Sequence, residues 1–182
     1  MYVVSELSNY GEAPVSFIFF LLTVTFAASD VLHESCNRTR FPAFCVKSLH
    51  FWSNPNQHSL ALYSFHRSIV TGNATVFYAN IYMDHRRRNG LPKTVEENRL
   101  FDCLTECAYA LNRSVSTVEQ ARAFLDVDRK KTTTLLRWAA SDVVGAGCVK
   151  QGGPVLAWID KNDRKYKKLL RITLDLISLL KK

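Results

Sequence analysis

The sequence is poor in the residues that interrupt helices. It has 7 glycines and 5 prolines in 182 residues, too few for an all-β chain cut by many turns or for a low-complexity polymer. It lacks an apolar run of the roughly eighteen residues that a conventional membrane span requires. No Cys-x-x-Cys pair and no His-x3-His following the cysteines is present, so zinc ligation has little to rest on. A G-x-S-x-G elbow, an H-E-x-x-H helix and a phosphate-binding glycine loop are also missing. His58 and His66 could share a helix face, but they read as surface or satisfied polar residues. No catalytic residue, metal or cofactor is therefore expected.

What is there is apolar and basic. Hydrophobic residues make up 47% of the chain and charged residues 22%, enough for a real core in one domain. The formal charge is +8, and every Lys and Arg lies at or after Arg38. Residues 1–29 read as a signal peptide, because Val15 to Ala27 is an apolar block bordered by the small residues Ala27, Ala28 and Ser29. Met1 to Pro14 departs from the usual pattern, carrying Glu6 and Glu12 but no Lys or Arg. Cleavage would remove those two acids and leave residues 30–182 with a charge of +10. The basic clusters are Arg86-Arg87-Arg88 and Lys161 to Arg171, the latter holding Lys161, Lys165 and Lys168. Such a surface attracts acidic partners. Sequons at Asn37, Asn73 and Asn112 are compatible with secretion and glycosylation.

The five cysteines are Cys36, Cys45, Cys103, Cys107 and Cys148. In an oxidising compartment four would pair and one would remain. Cys103 and Cys107 stand one helical turn apart, and spacing alone leaves open which of them reaches Cys148.

Residues 30–53 suggest a short helical hairpin broken at Pro42, and residues 54–182 a bundle. Asn54-Pro55-Asn56 opens a long helix. On it Leu62, Phe65, Ile69, Gly72, Val76, Ala79 and Met83 recur at alternating spacings of three and four, up to a stop near Asn89-Gly90. A second helix spans about Thr94 to Ser116, with Leu100, Cys103, Cys107 and Ala110 inward; Val115 to Leu125 either continues it or forms a turn of its own. A third covers Lys130 to Ala146, its apolar side holding Leu135, Leu136, Trp138, Ala139 and Val143. The last runs from Pro154 to about Leu180. Four such helices on short connections make an antiparallel up-and-down four-helix bundle, an all-α fold.

The segment from Cys36 to Leu49, CNRTRFPAFCVKSL, resembles the opening motif of the plant invertase and pectin methylesterase inhibitor family, C-x2-T-x-[YF]-P-x2-C-x2-S-L. Asp102-Cys103 followed by Ala110-Leu111 is similar to the family's D-C-x-E-x-Y-x2-A-V helix. Leu135 to Cys148 resembles its W-x-S-A-A…C segment. The resemblance implies disulfides Cys36–Cys45 and Cys103–Cys148, with Cys107 as the free thiol in a position the family gives to an aromatic residue. It further implies a secreted, cell-wall inhibitor that docks a helical face over the substrate cleft of a carbohydrate-active enzyme in a 1:1 complex.

Within that family the target is pectin methylesterase or acid invertase. Invertase inhibitors present a Pro-Lys-Phe motif, and this chain has Lys131-Thr132-Thr133 in its place. Trp138 leans towards pectin methylesterase, with a bundle-core position as the plainer alternative. Trp138, Lys131 and Arg137 are the candidate enzyme contacts. Arg86, Arg87, Arg88, Lys161, Lys165 and Lys168 are the candidate contacts to anionic pectin. A secreted four-helix signalling ligand would share the length and disulfides but has no reason to carry Phe41-Pro42 inside a Cys36–Cys45 staple. Nucleic acid is not expected as a partner, since no aromatic stacking platform accompanies the basic runs.

Overall fold

The structure, a computed structural model, describes residues 31–50, 56–90, 92–145 and 154–180. Among the described residues there are helices and no strands: α1 over 31–37, α2 (Pro42–Leu49), α3 (Gln57–Arg88), α4 (Val95–Ala123), α5 (Arg129–Gly145) and α6 (Pro154–Leu179). The expected signal peptide, residues 1–29, lies outside them.

Local chemistry fixes the helix ends. Asn56 opens α3 with a capping box, its side chain accepting from the Ser59 amide while the Ser59 hydroxyl accepts from the Asn56 amide. Thr94 and Glu97 do the same for α4, which satisfies amides that would otherwise be orphaned at the helix start. Between them the chain turns at Gly90, whose φ of 69° suits a residue without a side chain. The stretch from Val115 continues α4 as far as Ala123, because Val115, Val118 and Ala121 keep the three-residue spacing of buried positions. Asp128 then opens α5 by accepting from the Lys131 amide.

The four long helices close into a ring in which α3 packs on α4, α4 on α5, α5 on α6 and α6 on α3. Neighbours run antiparallel: Ser68 meets Thr173, Gly72 meets Tyr166 and Tyr78 meets Trp158, so numbers rise on α3 as they fall on α6. The inward face of α3 differs from the apolar stripe read in the sequence. Phe65, Gly72, Ala79 and Met83 are buried as expected, but Leu62, Ile69 and Val76 sit on its flank. The centre is taken by Ser64, Ser68, Thr71 and Thr75. Ser64, Ser68 and Thr75 donate to carbonyls of their own helix at 2.7–2.8 Å. Their polarity is thus satisfied locally, and their small size lets α6 approach. Gly72 is the point of closest approach, since a Cβ there would collide with Val115 of α4 and press on the Tyr166 ring.

Beneath this contact lies a buried polar knot. Ser114 donates to the Ala139 carbonyl at 2.8 Å and accepts from the Tyr166 hydroxyl at 2.8 Å, so one hydroxyl ties α4, α5 and α6. Burial pushes the Tyr166 phenol well above its ordinary range, and it remains a neutral donor.

The hairpin α1–α2 is closed by the Cys36–Cys45 disulfide and by Thr39, which donates to the Cys36 carbonyl. Arg40 anchors it to α6: its guanidinium and backbone amide both reach the Asp175 carboxylate at 2.9 Å. A hairpin this short cannot bury a core of its own, and the staple and the anchor replace one.

The remaining bridge corrects the pairing the motif implies. The half-cystine on α4 is Cys107, not Cys103. Cys107 is almost fully buried, while Cys103 lies at the edge of the core. The assignment of Cys107 as the free thiol is therefore wrong, by one helical turn. Cys148 lies outside the described residues.

Candidate functional site

The α4–α5 side of the bundle carries an exposed aromatic and charged strip. Trp138 is 60% exposed and Tyr109 68% exposed, so Trp138 is a surface residue and not part of the seam. Arg113 links the two helices. Its Nε and Nη2 reach the two Asp142 oxygens at 3.0 and 2.8 Å, and its guanidinium lies 5.8 Å from the Tyr109 ring centre. Trp138 stands one turn before Asp142 on the same face of α5. Directly underneath, the Ser114 knot holds α4 against α5. The strip is pinned from below and across, which suits docking with little loss of conformational freedom.

Lys131 falls seven residues before Trp138, on the same face of α5. Its ammonium sits 3.5 Å above the Phe124 ring centre, at the turn between α4 and α5. Arg137 points elsewhere: it lines a depression of about 340 Å³ with Arg40, Arg129, Thr133 and Asp175, between α5 and α6. The structure thus groups Lys131 with Trp138 and separates Arg137 from them. Sequence reading overlooked Tyr109, Arg113 and Asp142, whose only signal was an aromatic and two charges placed out of phase with the apolar stripe.

The two basic runs are distinct in their surroundings. Arg86 is paired with Glu97 at 3.0 Å, and Arg87 rests 4.9 Å over the Phe101 ring. Glu97 is held below its ordinary carboxylate value, first by the Lys93 amide and further by the Thr94 amide and Arg86, so Arg86 serves the α3–α4 turn. Arg88 is exposed. Lys161, Lys165 and Lys168 instead line a groove with Phe44 and Trp158, near the hairpin and on the α3–α6 side.

The three sequon asparagines, Asn37, Asn73 and Asn112, are exposed. Their hydroxyl partners Thr39, Thr75 and Ser114 are buried and hydrogen-bonded within the fold. His58 pairs with Asp126 at 2.6 Å and His66 stacks on Tyr63. Among the described residues no group of three metal-ligating side chains comes together, and no helix is long and apolar enough to cross a membrane.

A stapled hairpin leans on an antiparallel four-helix bundle whose α4–α5 side carries an exposed aromatic and charged strip. The family model for plant invertase/pectin methylesterase inhibitors matches residues 30–147, and the chain belongs to that family. Its fold is similar to that in the crystal structure of a pectin methylesterase inhibitor from Arabidopsis thaliana, with a TM-score of 0.57 and 18% identity over 85% of this chain and 98% of that one. No curated protein sequence gives a significant match. The protein is an inhibitor of the pectin methylesterase and invertase kind, not an enzyme, in a family whose members are extracellular.

Set on Cys107, the family's second motif exchanges its departures for others, with Tyr109 on the Glu position. With Glu106-Cys107 at the D-C position, Leu111, Ser114 and Val115 fall on the Tyr, Ala and Val positions. All three are buried.

Proposed function

We propose that the protein is a secreted inhibitor of pectin methylesterase, docking its α4–α5 strip over the enzyme's substrate cleft in a 1:1 complex. The observation that carries this reading is Trp138, an exposed indole on a braced helix pair. Aromatic and arginine side chains of this kind dominate binding energy at interfaces. Lys131-Thr132-Thr133 argues against acid invertase as the target: Thr132 is buried and the Lys131 ammonium is held over Phe124. Trp138→Ala is expected to weaken inhibition about tenfold or more, the loss of a central anchor, with the helical circular dichroism unchanged. Inhibition as tight as wild type would move the docking surface elsewhere.

Secretion belongs to the same reading. The mature chain begins within a few residues of Asp30, and terminal sequencing of extracellular protein checks this; an intact Met1 would refute it. The net charge of +8 also favours de-esterified pectin, a carboxylate polymer, as a second and salt-sensitive partner.

A further inference from the structure

The groove beside the hairpin has a chemistry of its own. It measures about 440 Å³ and is lined by Phe44, Trp158, Lys161, Asn162, Arg164, Lys165 and Lys168. Lys161, Lys165 and Lys168 follow one another along one side of α6 over about 10 Å, at the helical rise of about 1.5 Å per residue. Arg67 of α3 and Lys47 of α2 add to the positive field around Lys165. None of these five cations has a carboxylate partner among the described ion pairs; on α6, Asp160 pairs with Arg164 at 2.6 Å and the Oδ2 of Asp163 with Lys167 at 2.7 Å. The Nε of Arg67 is buried and meets no acceptor, and the Oδ1 of Asp163 is likewise buried without a partner. The Lys165 ammonium is held below its ordinary value, by burial first and then by repulsion from Arg67, Lys161 and Lys47. At the lip, Trp158 is 37% exposed and braced edge-on by Tyr78 at 4.4 Å.

We propose that this groove binds a short acidic oligosaccharide, with uronate carboxylates on Lys161, Lys165 and Lys168 and a sugar face stacked on Trp158. Lysines meet carboxylates as single point charges, whereas phosphate is commonly clamped by arginine forks, and Arg164 is already committed to Asp160. The aromatic lip supplies the apolar contact that a sugar ring's C–H face needs. The site lies on the α3–α6 side, opposite the α4–α5 strip in the ring of helices. One molecule could therefore hold the polysaccharide with one side and the enzyme with the other. The proposal rests on the reading that the protein works beside de-esterified pectin, and deepens it by giving that contact a place.

The test is calorimetric titration of the purified protein with tetragalacturonate, with its full methyl ester and with a charge-matched oligonucleotide, no enzyme being present. Saturable binding of the acid form alone is expected. It should weaken at least tenfold in Lys161→Gln/Lys165→Gln/Lys168→Gln and also in Trp158→Ala. It should be unchanged in Arg86→Gln/Arg87→Gln/Arg88→Gln, and all three variants should keep full inhibition of pectin methylesterase. Equal binding of the methyl ester, no loss in the lysine variant, or tighter binding of the oligonucleotide would overturn the proposal. Inhibition is scored separately, so tetragalacturonate binding without any inhibition would sink the inhibitor reading and leave the groove standing.

Discussion

Replacing Cys107 with serine is expected to cost about 2–5 kcal/mol of stability, the usual penalty for losing a native disulfide in a small secreted domain. Cys103→Ser should cost much less. The contrast follows from placement: Cys107 is a half-cystine buried between helices, and Cys103 lies at the edge of the core. Peptide mapping without reduction is expected to join the Cys107 peptide to that of Cys148. A bridge between those positions closes about 40 residues and contributes roughly 4 kcal/mol on the loop-entropy account. Thermal unfolding of the two serine variants checks the assignment. A large loss in Cys103→Ser with a silent Cys107→Ser would restore the pairing that the motif implies.

Tyr166→Ala should be comparably damaging, about 3–5 kcal/mol, the range for removing a large aromatic side chain from a core. Tyr166 is fully buried, fills the space left by Gly72 and bonds Ser114 at 2.8 Å. Its removal opens a cavity where α3, α4 and α6 meet and takes away the hydroxyl that Ser114 accepts from. Tyr166→Phe separates the two effects. It keeps the ring and loses one buried hydrogen bond, so about 1 kcal/mol is expected. Denaturant titration of both variants reads the difference. Equal losses would mean that the hydroxyl knot, and not the ring, holds the three helices together.

Much of this fold was legible in the sequence, and the exceptions share a physical cause. Asn56, Thr94 and Asp128 mark helix starts through their own side chains, and such signals act locally. The inward face of α3 was obscured because Ser64, Ser68 and Thr75 satisfy their hydroxyls on their own helix, so polar residues occupy positions that a hydropathy pattern assigns to apolar ones. Cys103 and Cys107 share a helix face, and only their burial distinguishes them, Cys107 lying inside the core and Cys103 at its edge. The exposed α4–α5 strip was half visible. Trp138 stood out by residue type, whereas Arg113 and Asp142 acquire meaning only when α4 and α5 lie side by side. For the same reason the basic runs are visible in the sequence while their partners are not. Arg86 is answered by Glu97 across a turn, while Lys165 is crowded by Arg67 and Lys47 from two other helices.

The central claim is that this bundle blocks pectin methylesterase. The most direct measurement titrates the purified protein into pectin methylesterase and, in parallel, into acid invertase, and follows residual activity. Pectin methylesterase activity is expected to fall to a break at one inhibitor per enzyme, while invertase activity stays level. Full pectin methylesterase activity under saturating inhibitor, or loss of invertase activity alone, would contradict the account.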